Sequence, residues 1–320
     1  MLSEEEVGCI IAASHLVKPH LRGGNSTVSR VEFDGSIYAV KNYSERSDGD
    51  QRLLQEYAGL NLVSKTMPRV FPKPIGIDLE QKIGVFSWVS GIRPNANLET
   101  ILQMLEILNR LHQLGSKIGE DHANNAVDSI ILIHDVLVQI EERIKRFDRG
   151  QLVINELIEQ VLIPQLNRYK ETNEEISAAV VTLSPSDFGV HNLLWDREFE
   201  SMHCVDFEFF GWDDAHKLVC DTLLHPQSTW EVSEATKFLE GVNDIYQLNE
   251  GRIIRLWPLL SMKWSTIVLH RVNRDLLRSD EVSARRSIKL VKSYLNEASQ
   301  PPRSLTDIVE RSNMLTIGRK

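Results

Sequence analysis

Cysteine is scarce in this chain. Its 320 residues include only Cys9, Cys204 and Cys220, far apart and without paired spacing, which excludes a disulfide framework or a zinc site as the organising principle. Basic charge is not in excess either: 36 Lys and Arg stand against 45 Asp and Glu, a net charge of −9. That balance gives no general pull toward nucleic acid or an anionic membrane, although a local basic site for phosphates stays open. Long apolar runs are absent as well. The opening MLSEEEVGCIIAASHL is acidic and its apolar stretch is short, so neither a secretory signal nor a membrane span is expected, and the chain reads as cytoplasmic. There is no internal repeat, no Walker loop and no GxGxxG fingerprint. What is present is ordinary globular material, 42% hydrophobic and 25% charged, enough for a sizeable core.

The hydrophobic pattern changes character along the chain. Ser26–Phe33 and Ser36–Tyr43 alternate as strands around Asp34-Gly35, a strong hairpin signal. A helix is expected over about Gln51–Lys65, then strands near Pro74–Asp78 and Lys82–Trp88. From Asn97 onward, Leu98, Ile101, Leu102, Leu105, Leu108 and Leu111 recur at helical spacing. Further helices are expected over Val127–Phe147, Leu152–Tyr169 (kinked or broken at Pro164), Ala215–Leu224, Glu231–Val242, Gly251–Leu277 and Val282–Glu297. Short strands, Ala178–Leu183, Leu193–Trp195 and His203–Phe207, interrupt them. The expected class is α+β and bilobal. Residues 1–88 form a small antiparallel sheet with one helix, residues 89–302 a larger helical lobe, and residues 303–320 a tail after Pro301-Pro302.

The segment from Leu183 to Glu208 carries the chemistry. Asp187 precedes Asn192 by five residues, and Asp206 follows Asp187 by nineteen on a short apolar run. Phosphoryl transfer needs a carboxylate to orient the attacking hydroxyl, with an amide and a second carboxylate to hold magnesium. Asp187-Phe188-Gly189 spells the metal triplet of protein kinases, but then an acid with Asn five residues on should lie about twenty residues upstream. Leu162–Thr182 contains no Asp, and Glu171, Glu174 and Glu175 lack the required Asn. The shifted frame satisfies every part: Asp187 faces the acceptor, and Asn192 and Asp206 hold the metal. Taken singly, Asp187 in Ser-Pro-Ser-Asp would read as a turn residue and Asn192 as a capping amide.

Other positions fit the same chemistry. Lys41 ends the second hairpin strand, and Glu56 lies fifteen residues on in the first helix, the spacing of a lysine clamp on nucleotide phosphates. Alone, they read as a strand end and a solvated helix face. Gly23-Gly24-Asn25-Ser26 could fold over phosphates or be only a turn. His191 is a candidate to shape the loop or touch the acceptor. Glu208 is a secondary candidate, on the face of Asp206 if that strand continues. Asp213 and Asp214 read as caps of the helix from Ala215, and Asp221 as a buried polar group supporting the catalytic loop.

With these residues in place, the pattern resembles the aminoglycoside phosphotransferase and choline-kinase-like family, small-molecule kinases sharing the protein-kinase core. The resemblance runs from Gly23 to about Asp221. Ser186-Asp187 through Asn192 matches the family's His-x-Asp-x-x-x-x-Asn loop except at its histidine, replaced by Pro185, which is expected to stiffen the turn instead. Val205-Asp206-Phe207-Glu208 matches its metal run. The resemblance implies an ATP- or GTP- and Mg²⁺-dependent phosphotransferase acting on a hydroxyl of a sugar, aminosugar or amino alcohol, with Phe86–Val89 meeting the adenine. The alternative is a pseudokinase-like nucleotide-binding regulator, supported only by Pro185. A protein kinase is disfavoured because no Ala-Pro-Glu follows Asp206 before the next helix.

Overall fold

The computed structural model describes residues 2–22, 26–147, 150–171, 177–228 and 230–319. Gly23, Gly24 and Asn25 lie outside the described residues; Ser26, half-buried, leads into a strand. The chain divides into two compact units that are not contiguous in sequence. One comprises residues 1–95, 109–127 and 183–212, the other residues 96–108, 128–182 and 213–320.

The first unit begins with α1 (Glu4–Ser14). Its start is a capping box: Ser3 Oγ accepts the Glu6 N–H (3.2 Å) while Glu6 Oε2 accepts the Ser3 N–H (2.7 Å). Three glutamates in the first turn complement the helix dipole. Next come β1 (Leu21–Arg22), β2 (Thr27–Phe33), β3 (Ser36–Asn42), α2 (Gly49–Val63), β4 (Pro74–Asp78) and β5 (Ile83–Ser87). The five strands form one antiparallel sheet in the order β1-β2-β3-β5-β4. Asp34 and Gly35 both take positive φ, +47° and +71°, the conformation of a two-residue hairpin turn.

The two faces of this sheet have different partners. Val7, Ile10 and Ile11 of α1 pack with Val31, Tyr38, Val40, Ile83 and Val85 in one core cluster. Strand alternation turns the neighbour of Val40, Lys41, to the other face, where Glu56 of α2 meets it. Gly84 lies opposite Lys41 in the ladder, and a Cβ there would come 2.7 Å from Leu53 of α2. The helix therefore approaches the sheet closely beside Lys41.

Beyond β5 comes α3 (Leu98–Ile118), whose residues are divided between the two units. The second unit holds α4 (Ile133–Lys145), α5 (Leu152–Leu157) and α6 (Ile163–Glu171). The break expected at Pro164 falls just upstream, as one π-helical turn over Ile158–Leu162 closed by the Ile163 N–H on the Ile158 carbonyl. Widening that turn accommodates a proline that cannot donate to a carbonyl one turn back. β6 (Val181–Ser184), β7 (Leu193–Asp196), β8 (Ser201–Cys204) and β9 (Gly211–Asp214) follow, and β7 pairs with β8. Then come α7 (Ala215–Leu224), α8 (Val232–Tyr246), α9 (Glu250–Leu277), α10 (Glu281–Ser299) and α11 (Leu305–Arg319).

Within the second unit α9 is the central helix, packed against α4, α7 and α10. Arg252 of α9 is fully buried, donating to Asp214 Oδ2 (2.6 Å) and to the carbonyls of Ser177 and Ile131. The C-terminal segment differs from the expected tail. It is helical, with Ile308, Val309 and Ser312 buried, so Pro301-Pro302 precedes another packed helix.

Candidate active site

Lys41 is the centre of a buried cluster in the first unit. Its ammonium is 2.8 Å from Glu56 Oε2 and 2.7 Å from Asp206 Oδ1. Burial alone would pull its pKa down, but the anions of Asp206 and Glu56 hold it well above the ordinary lysine value. It therefore stays a cation. Glu56, 2% exposed, also accepts the Tyr43 hydroxyl and, at 3.1 Å, the Phe207 N–H. Burial and the Glu56 anion push the Tyr43 phenol well up, so Tyr43 remains a donor.

The acid segment is placed by backbone bonds. The Cys204 N–H donates to the Val70 carbonyl (2.8 Å) and the Val205 N–H to the Asn192 carbonyl (2.9 Å). β8 ends at Cys204, so Asp206 is beyond the strand end, at φ +69°, and the strand does not carry Glu208 onto its face. A non-glycine residue in this left-handed region is uncommon and must be held by its surroundings. The Asp206 side chain is 40% exposed and accessible to a ligand. Glu208 is buried at 1% and bound to Arg52 (2.8 Å). Burial and the neighbouring Asp206 push the Glu208 carboxyl up to about 7, against Lys41 and Arg52.

Asp187 follows a tight turn. Its N–H bonds the Pro185 carbonyl (2.8 Å) across Ser186, whose φ is +62°, and the Ser186 N–H is held by Ser184 Oγ (2.9 Å). Pro185, with its fixed φ, thus sits at the first corner of the turn that presents Asp187. A ring nitrogen reaches Asp187 from His191, whose Nε2 is 3.1 Å from Oδ1. Asn192 donates its amide to the Asp187 carbonyl (2.9 Å) and Oδ2 (3.3 Å), which turns its amide oxygen away from Asp187. Asn192 Oδ1 and the Asp206 carboxylate are hard oxygen donors on adjacent backbone, the donor type that suits magnesium. The Cys204 thiol beside them is pushed up by burial and by both aspartates, so it is no nucleophile.

Lys41, Glu56, Asp206, Glu208, Asp187, His191 and Asn192 all belong to the first unit, joined by these bonds. Asp221 lies on α7 in the second unit, paired with Lys217 (3.2 Å) and Trp264 Nε1 (2.9 Å). Asp214 caps α7 through the His216 N–H (3.0 Å), and Asp213 binds Lys217 (2.7 Å) and the Ile130 N–H (3.0 Å). Sequence reasoning missed Arg52, Gln55 and Tyr43. Tyr43 lay two residues beyond Lys41, hence on the same strand face, a legible signal.

Comparison with known structures gives the fold. The choline kinase LicA of Streptococcus pneumoniae matches with a TM-score of 0.59 at 15% identity, over 91% of this chain and 100% of its own. The fold is that of choline kinases and aminoglycoside phosphotransferases. A choline/ethanolamine kinase family protein from Mesorhizobium loti matches with a TM-score of 0.59 at 13% identity, over 98% of this chain and 100% of that one. The spectinomycin phosphotransferase APH(9)-Ia, solved with ADP and spectinomycin, matches at 0.54 and 14%, over 97% and 98%. No protein-family model and no curated protein matches the sequence. Among the described residues no helix is long and apolar enough to cross a membrane.

Proposed function

We propose that this protein is a kinase of a small hydroxylated metabolite, transferring the γ-phosphate of ATP or GTP to an alcohol oxygen. One observation carries the reading: the Lys41 ammonium bonds both Glu56 and Asp206, while Asn192, joined to Val205 through its backbone, holds Asp187. Phosphate clamp, metal donors and acceptor-facing carboxylate are thus one connected set. The neighbouring folds were solved with ADP, AMP and GDP, which supports a nucleotide as donor. Choline kinase and the spectinomycin- and kanamycin-bound phosphotransferases support a hydroxyl compound as acceptor.

In this mechanism Lys41 holds the nucleotide phosphates and Glu56 fixes Lys41. Asn192 Oδ1 and Asp206 would hold Mg²⁺, which when bound would neutralise charge on the phosphate oxygens. The acceptor oxygen bonds to the γ-phosphorus as the bond to the β,γ-bridging oxygen breaks. The hydroxyl proton passes to Asp187, whose main work is orientation, since the transition state is loose. His191 steadies the Asp187 carboxylate. The Ser87 and Trp88 N–H groups already donate to the Lys73 and Ile37 carbonyls, so we assign adenine recognition to the backbone after Trp88.

The test is nucleoside diphosphate release with ATP or GTP and Mg²⁺ over a panel of sugars, aminosugars and amino alcohols. Acceptor-dependent release is expected. Nucleotide binding with no acceptor-dependent release anywhere in the panel would favour the non-catalytic regulator.

A further inference from the structure

One stripe of α2 is given over to holding residues 206–210. Arg52, Gln55, Glu56 and Gly59 recur at three- and four-residue spacing, hence on one face of the helix. Glu56 takes the Phe207 N–H (3.1 Å), and Gln55 Nε2 donates to the Phe210 carbonyl. Gly59 leaves room for the Phe210 ring, which a Cβ would approach to 2.5 Å. Arg52 completes the set by donating to Glu208 Oε1 (2.8 Å). Its guanidinium lies 4.4 Å from the Phe209 ring centroid, and its Nε bonds Asp48 Oδ2 (2.8 Å), itself held by Arg46 (2.6 Å). Both partners of the Arg52–Glu208 pair are buried, at 6% and 1% exposure.

The pair bears on Asp206 from the downstream side. Upstream, the Val205 and Cys204 amides are bonded to fixed carbonyls; downstream, the Phe207 N–H and the Glu208 carboxylate are bonded to Glu56 and Arg52 of α2. Asp206 sits between these anchors in a left-handed conformation that a loosened segment would abandon. Removing Arg52 takes away the buried cation that ties Glu208 to α2, which frees the segment after Asp206 to shift.

We propose that Arg52 is a positioning residue for divalent-cation binding, acting through Glu208 to hold the Asp206 carboxylate where the cation needs it. This rests on the reading above, in which Asn192 and Asp206 hold the cation. The test is titration of Mn²⁺, followed by the EPR signal of the free ion, into the protein with a non-hydrolysable ATP analogue. Arg52→Met is expected to weaken Mn²⁺ affinity by about tenfold, as loss of a group orienting a metal ligand does. Arg52→Lys is expected to restore part of it, and affinity for the metal-free analogue should not change. A merely structural Arg52 would lower the melting temperature and leave Mn²⁺ affinity alone. If Arg52→Met does not fold, Glu208→Gln, which keeps the side-chain shape, must show the same Mn²⁺ loss. Wild-type affinity in folded Arg52→Met or Glu208→Gln overturns the proposal while leaving the kinase reading intact. Absence of nucleotide-dependent Mn²⁺ binding in the wild type overturns the metal assignment itself.

Discussion

Replacing Glu56 by Gln separates the charge of this residue from its shape. Glu56 is 2% exposed and accepts from three donors, Lys41, Tyr43 and the Phe207 N–H. The amide keeps one acceptor oxygen and sets an NH₂ group against donors, so at least one buried donor loses its partner. Breaking one side of a buried ion pair costs about 3–5 kcal/mol, and the near-isosteric amide belongs at the lower end, about 3 kcal/mol. A chain of this length unfolds with an entropy of roughly 0.7 kcal/mol/K, so the melting temperature should fall by about 4–5 °C. Lys41 would then be drawn toward Asp206 alone, and turnover should drop by about a hundredfold, the scale for loss of an electrostatic group. Differential scanning fluorimetry and a diphosphate-release assay read the two effects. A melting temperature within about 1 °C of wild type would refute the account of Glu56 as the junction of sheet, helix and acid segment.

Two other sites give independent checks. A Cβ at Gly211 would lie 2.5 Å from the Asn124 carbonyl oxygen and 2.6 Å from the Asn125 carbonyl carbon; backbone cannot step aside, so Gly211→Ala should cost about 3 kcal/mol or more, seen as a lowered urea midpoint. His270 stacks on Phe147 at 4.0 Å, and burial with the nearby Arg143 and Arg146 brings its pKa down from 6.5 to about 4. The unfolded chain binds the proton more readily, so this stability is present above pH 6.5 and drains away as pH falls toward 4. Discounted for partial exposure, the loss is about 1–2 kcal/mol, and His270→Phe should flatten that slope in urea midpoints taken across the window.

Several features were legible because they are local. Asp34-Gly35 between alternating β-formers specified the hairpin, and the hairpin fixed the face of Lys41. The missing acid upstream of Asp187 is what shifts the frame of the roles proposed for the acid segment, although Asp187-Phe188-Gly189 pointed elsewhere. Arg52 was hidden because an arginine on an amphipathic helix ordinarily reads as solvated, and its partner Glu208 lies 156 residues away. The left-handed Asp206 could not be foreseen from an apolar run that looked like a continuing strand. α1 and α11 were missed for different reasons. α1 carried its Ser3-x-x-Glu6 capping box in plain sight, whereas Pro301-Pro302 looked like a terminus and was only a corner.

The most direct test of the central claim is Asp187→Asn, assayed for turnover and nucleotide binding on the same preparation. The substitution keeps the side-chain shape and, with its amide oxygen toward Asn192, that contact, while removing the carboxylate proposed to orient the acceptor hydroxyl. We expect acceptor-dependent turnover to fall by about a hundredfold or more with nucleotide affinity unchanged. Wild-type turnover in Asp187→Asn would contradict the mechanism outright.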